Sequence, residues 1–178
     1  TAQAENHGPF SIRYPRGNGV MTEWKTPMKA IPIGKGRKVS NGEDIALVTI
    51  GHVGNFAQEA IQSLKETGTS VAHYDMRFVK PLDETLLHEV FTKFDQVITI
   101  EDGCIMGGFG SAVIEFMVDH NYRSKVVRLG IPDKYIHHGT PEQLHAVCGF
   151  DAKSIAAKVT ELLNISSSEE QGPQSEVG

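Results

Sequence analysis

Cysteine is scarce in this chain: Cys104 and Cys148 are the only two among 178 residues, and tryptophan occurs once. Two thiols cannot build a disulfide framework. With no basic stretch leading into an apolar one near the start, both are expected to be reduced thiols of a cytoplasmic protein. No apolar run approaches the roughly 18 residues that a membrane helix needs. Basic excess is missing too, because 17 Lys and Arg face 22 Asp and Glu, a net charge of −5. Three of the acids, Glu169, Glu170 and Glu176, fall in the final segment, and no basic stripe exists to meet nucleic acid or an anionic membrane. The sequence also lacks HExxH, CxxC and any local Cys/His cluster, so no metal site is expected. It has no G-x-S-x-G elbow, and neither cysteine has a basic neighbour that would mark a nucleophile.

What is present is the composition of one ordinary globular domain, 39% hydrophobic and 22% charged, enough for a single core. From Asp44 onward the pattern is regular. Ile45 to Ile50 is a near-continuous apolar run, as for a strand buried on both faces. Phe56, Ala57, Ala60, Ile61 and Leu64 recur at helical spacing up to Gly68. Val71 to Tyr74 reads as a second strand. Asp83 reads as the cap of a helix reaching Phe94, and Gln96 to Ile100 as a third strand stopping at Glu101-Asp102-Gly103. A helix follows from Ser111 to about His120, then a strand over Lys125 to Leu129. Pro141 opens a short helix, and Asp151 caps a last one through Leu163. Before Asp44, Phe10 to Tyr14 alternates like a short strand. Ile33 to Val39 suits an edge strand with Asn41-Gly42 as its turn. Strands alternating with helices imply βαβ units and a mostly parallel, helix-covered sheet.

Few residues carry chemistry on their face. The turn at Gly107 to Gly110 misses the dinucleotide fingerprint, since no third glycine stands at the required offset. It reads either as a tight strand-to-helix turn or as an anion site on exposed helix amides. Glu101 and Asp102 lie at the carboxyl end of a strand, where open α/β sheets place ligands. As sequence neighbours they face opposite ways, so capping the turn or making a salt bridge is favoured over acid/base work. Arg13 and Arg16 flank Tyr14-Pro15, where a stiffened backbone could hold a guanidinium against a phosphate; a solvated surface role competes. Arg77 and Lys80 form a second basic pair, open to either a ligand or an interdomain salt bridge. His137 and His138, as neighbours, cannot readily share one metal.

Five blocks, taken together, are more specific: Arg13-Tyr-Pro-Arg-Gly17, Ile33-Gly-Lys-Gly36, Asp75-Met-Arg-Phe-Val-Lys-Pro-Leu-Asp83, Glu101 to Ser111, and Gly130-Ile-Pro-Asp-Lys-Tyr-Ile-His-His-Gly139. In this order they resemble the C-terminal part of the 1-deoxy-D-xylulose-5-phosphate synthases, thiamin-diphosphate-dependent transferases of the transketolase family. The xPLD element alone would equally suit transketolases or 2-oxo acid dehydrogenase β subunits. The resemblance implies a three-layer α/β/α sandwich on a five-stranded, mostly parallel sheet with one antiparallel edge strand. It implies a parent that condenses pyruvate with glyceraldehyde 3-phosphate, losing CO₂, for isoprenoid, thiamin and pyridoxal synthesis. Thiamin diphosphate and Mg²⁺ would serve the whole enzyme, a homodimer.

The family's diphosphate signature and pyrimidine-ring glutamate are not found in this sequence. It is therefore expected to be a C-terminal piece that binds no cofactor alone and has no catalytic residue of its own. On this reading, residues 1–31 end the pyrimidine-binding domain and form a linker, 32–164 make the transketolase C-terminal domain, and 165–178 are a disordered tail. One role carries over by position, with Arg16 as the arginine that contacts the substrate phosphate. Arg13, Tyr14, Gly107 to Gly110 and His137-His138 match family blocks without an assigned role. An independent anion-binding module, using the Gly107–Gly110 helix start, is the alternative from another class.

Overall fold

A computed structural model describes residues 1–4, 8–15, 19 and 27–169, the last five by backbone alone. Its elements run β1 (Arg37–Ser40), β2 (Ile45–Ile50), α1 (Val53–Glu66), β3 (Val71–Asp75) and α2 (Glu84–Lys93). Then follow β4 (Gln96–Cys104), α3 (Phe109–Asp119), β5 (Lys125–Ile131), α4 (Pro141–Cys148) and α5 (Ala152–Glu169). The sheet is five-stranded in the order β1-β3-β2-β4-β5. All neighbours are parallel except β1, which pairs antiparallel with β3. This is the α/β arrangement with an antiparallel edge that the sequence patterns and the resemblance predict.

The side-chain alternation of β2 explains the layers, because successive residues of a strand face opposite sides. Ile45 and Leu47 join Val53, Ala57, Leu64, Ile155 and Val159 in a core beneath α1 and α5. Ala46 and Val48 join Leu87, Val90, Phe91, Val113 and Phe116 beneath α2 and α3. A strand covered on both faces has no use for a polar period, hence its continuous apolar run. The caps read from sequence are in place. Asp83 accepts from Leu86 N, Asp151 accepts from Ser154 N, and Thr140 and Gln143 form a reciprocal capping box behind Pro141.

Several expected boundaries move. The edge strand begins at Arg37, not Ile33, because Gly34 adopts a φ of +70° and Gly36 N is drawn to Asp83. Asn41-Gly42 is not a hairpin turn, since β3 lies between β1 and β2. Gly42 instead lets the chain cross close to the start of β3, where a Cβ would strike the backbone of Val71 and Ala72. Residues 10–14 form no strand. β4 runs on past Glu101 to Cys104, through an irregularity after Ile100 that restores pairing at Cys104–Ile131. The last helix continues to Glu169, beyond the expected start of the tail at 165. No described helix is long and apolar enough to cross a membrane.

Candidate functional site

In the order β1-β3-β2-β4-β5, the connection leaving β2 runs to one side and that leaving β4 to the other. The carboxyl ends of β2 and β4 therefore flank the switch point where doubly wound sheets open a crevice. His52 follows β2 at the N-cap position of α1, its side chain making no capping hydrogen bond, and Asp102 lies in β4. His52 Nε2 and Asp102 Oδ2 stand 3.8 Å apart. His145, in the last turn of α4, closes the group, its ring centre 5.7 Å from that of His52. Phe56 and Phe150 support the His145 ring, each with centroids 5.1 Å away. Burial pushes the His52 imidazole below its ordinary range, while the Asp102 carboxylate pulls it back and His145 and Arg13 push it further down.

Arg13 reaches the same rim. A Cβ built on Gly103 would lie 2.8 Å from Arg13 Nη1, so the guanidinium rests against the end of β4. Arg16 lies outside the described residues. Arg77 has a φ of +57° and donates its amide to Asp75 Oδ1, and Lys80 is exposed. His137 and His138 line an open groove with Tyr135, Leu144 and Val147 beside α4.

Glu101 and Asp102 part as neighbours on a strand should. Glu101 is only 5% exposed and turns inward, its two carboxylate oxygens accepting from Phe109 N and Gly110 N at 2.9 Å each. The carboxylate thus sits on the first amides of α3, complementing its dipole. A Cβ on Gly108 would collide with Glu101 Oε2 and Cys104 O, which explains the glycine there. Arg128 and Ser111 tie the same loop from within, Arg128 Nη1 donating to Ile105 O and to Ser111 Oγ. The helix start read as an anion site is therefore filled by the chain's own anion, and that alternative falls. Capping, the favoured role for Glu101, is the one observed.

Sequence reasoning missed His52 and His145. The first had a signal, since it directly follows the apolar run of β2, where ligand-facing loops begin. The second had none, because only the packing of α4 brings residue 145 next to residue 52.

The model of the transketolase C-terminal domain matches residues 34–155. Curated relatives named 1-deoxy-D-xylulose-5-phosphate synthase share 60% identity over 93% of this chain in Cytophaga hutchinsonii and 54% over 89% in Bacteroides thetaiotaomicron. The chain spans about a quarter of their length, 26% and 25% respectively. A solved split-gene transketolase, described as an inactive β4 tetramer, superposes with a TM-score of 0.69 at 31% identity, covering 75% of this chain and 44% of that one. With five strands in the observed order and a family match over most of its length, this chain belongs to the transketolase C-terminal domain family.

Proposed function

We propose that the chain is the C-terminal part of a 1-deoxy-D-xylulose-5-phosphate synthase, which joins pyruvate to glyceraldehyde 3-phosphate with loss of CO₂ in the cytoplasm. In that enzyme its role is structural and dimerising, and the product feeds isoprenoid, thiamin and pyridoxal synthesis. The observation that carries the reading is the 60% identity, sustained over 93% of the chain, with a relative of that name. Identity at that level spans the RYPRG-to-GIPD blocks rather than the xPLD element alone, which disfavours a transketolase or a 2-oxo acid dehydrogenase β subunit.

Thiamin diphosphate with Mg²⁺ would supply the carbanion chemistry of the whole enzyme. The described residues do not fit that group. The glycine-rich helix start, the natural cradle for a diphosphate, is closed by Glu101. No step is assigned to this chain through the cofactor. Its exposed apolar residues support the structural role: Ile12 and Tyr14 flank Arg13, and Val79 and Met106 follow β3 and β4, at 63%, 81%, 46% and 62% exposure. Such residues on the carboxyl side of the sheet suit a surface covered by other domains or a second subunit.

Arg16 is the residue assigned to the substrate phosphate. In the whole enzyme, Arg16→Ala should raise the KM for glyceraldehyde 3-phosphate by about tenfold or more, the worth of one charged hydrogen-bonded contact. The KM for pyruvate should move less than about twofold. Steady-state kinetics of the purified protein with both substrates decide the matter. A protein that never releases CO₂ from pyruvate in the presence of the aldehyde would overturn the reading, and an unchanged aldehyde KM would remove the assignment of Arg16.

A further inference from the structure

We propose that His52, Asp102 and His145 form a binding site for one divalent transition-metal ion of the zinc class. The ligand atoms of these three residues all lie within 4.8 Å of one another. His52 Nε2 and Asp102 Oδ2, at 3.8 Å, are too far apart for a hydrogen bond. Two ligands of a tetrahedral ion, each bound at roughly 2.0–2.2 Å, stand about 3.4 Å apart. The pair is thus a few tenths of an ångström from the spacing of ligands sharing an ion. Among the described residues, neither imidazole is engaged in a side-chain hydrogen bond that would hold it away.

The donor set selects the ion. Two imidazoles and one carboxylate suit zinc, cobalt or nickel, whereas calcium and magnesium want more oxygens. Three protein ligands leave a fourth position for water or a small anion. Each ligand stands on a fixed element: His52 where β2 passes into α1, Asp102 within β4, and His145 on α4 against the buried Phe150. Half-buried side chains on such elements lose little freedom when the ion binds. Arg13 works against it, its guanidinium beside Gly103 placing a positive charge on that rim. The sequence offered no metal signature because the ligands come from three separate stretches of the chain, united only at the switch point. The inference does not depend on the proposed parent enzyme, and its test uses no substrate.

The test is calorimetric titration of the EDTA-dialysed chain with Zn²⁺, alongside visible absorption on adding Co²⁺. Expected are one ion per chain and the intense d–d bands of low-coordinate Co²⁺. Asp102→Asn and His145→Gln should each weaken binding at least about tenfold, no less than the loss of outer-shell partners of known sites. Arg13→Gln should tighten it. His138→Gln, in the groove beside α4, should leave it unchanged. A readout without variants is diethylpyrocarbonate labelling of the unaltered chain, in which Zn²⁺ should shield His52 and His145 and spare His137 and His138. Binding that is unaffected by Asp102→Asn and His145→Gln but lost with His138→Gln would overturn the proposal. So would the absence of stoichiometric binding, or labelling of His52 and His145 that Zn²⁺ does not slow.

Discussion

His73 is a titratable residue held almost entirely away from water. It lies in β3, only 1% exposed, with Nε2 sharing a 2.9 Å hydrogen bond with Thr49 Oγ1. Burial pushes its pKa down to about 4, with the Asp75 carboxylate opposing and Arg37 adding to the shift. The folded state therefore keeps the ring neutral, while the unfolded chain takes up a proton near its ordinary value of about 6.5. Stability contributed by the neutral ring is complete above pH 6.5 and is lost as pH falls towards 4. Thermal melts at pH 7 and pH 4.5 should differ less for His73→Gln than for the unaltered protein. An equal difference would place the pH dependence elsewhere. The ring was not singled out from sequence, since Val-Ala-His-Tyr reads only as a strand. Glu101 was singled out with Asp102 for its place at the carboxyl end of a strand, with capping of the glycine-rich turn or a salt bridge as the favoured role.

Among the elements, α2 shows how one side chain joins two segments. Asp83 caps the helix through Leu86 N, and it also accepts from Gly36 N at 3.0 Å and from Lys35 Nζ at 3.3 Å. The lysine is more than half exposed and adds little; the two backbone amides matter more. Asp83→Ala removes a cap worth about 1 kcal/mol and leaves Gly36 N without its partner, for a loss of about 2 kcal/mol in urea denaturation. Asp83→Asn, which can still cap, should lose clearly less. The cap was legible because a short acid before an apolar 3.6-residue period has few other meanings. Its second partner was not, since Gly36 approaches it only through the fold. The same limit explains β4: Glu101-Asp102-Gly103 carries turn residues, yet the strand continues because Ile131 offers Cys104 a partner. A period-2 pattern cannot report what the neighbouring strand supplies.

For the whole molecule, the sheet order ranks the strands. β2 has β3 and β4 on either side and a helical layer on each face, whereas β1 is four residues long and paired on one side only. Hydrogen exchange should follow that ranking, with β2 amides slowest and β1 amides opening early through local fraying. Protection of β1 equal to that of β2 would contradict it. The apolar runs of β2, β3 and β4 announced an α/β sheet, the pattern of Ile33 to Val39 marked its edge, and the resemblance made that edge antiparallel. The crevice that gathers His52, Asp102 and His145 stayed hidden, because periodicity does not fix which strands become neighbours. The central pair also sets an order of events. Ala46 lies against Val97 and Ile50 against Glu101, so β2 must wait for a strand that follows β3 and α2 in the chain. During synthesis the oily flank of β2 thus leaves the ribosome long before its companion, and in that interval the nascent chain is a natural client for a chaperone.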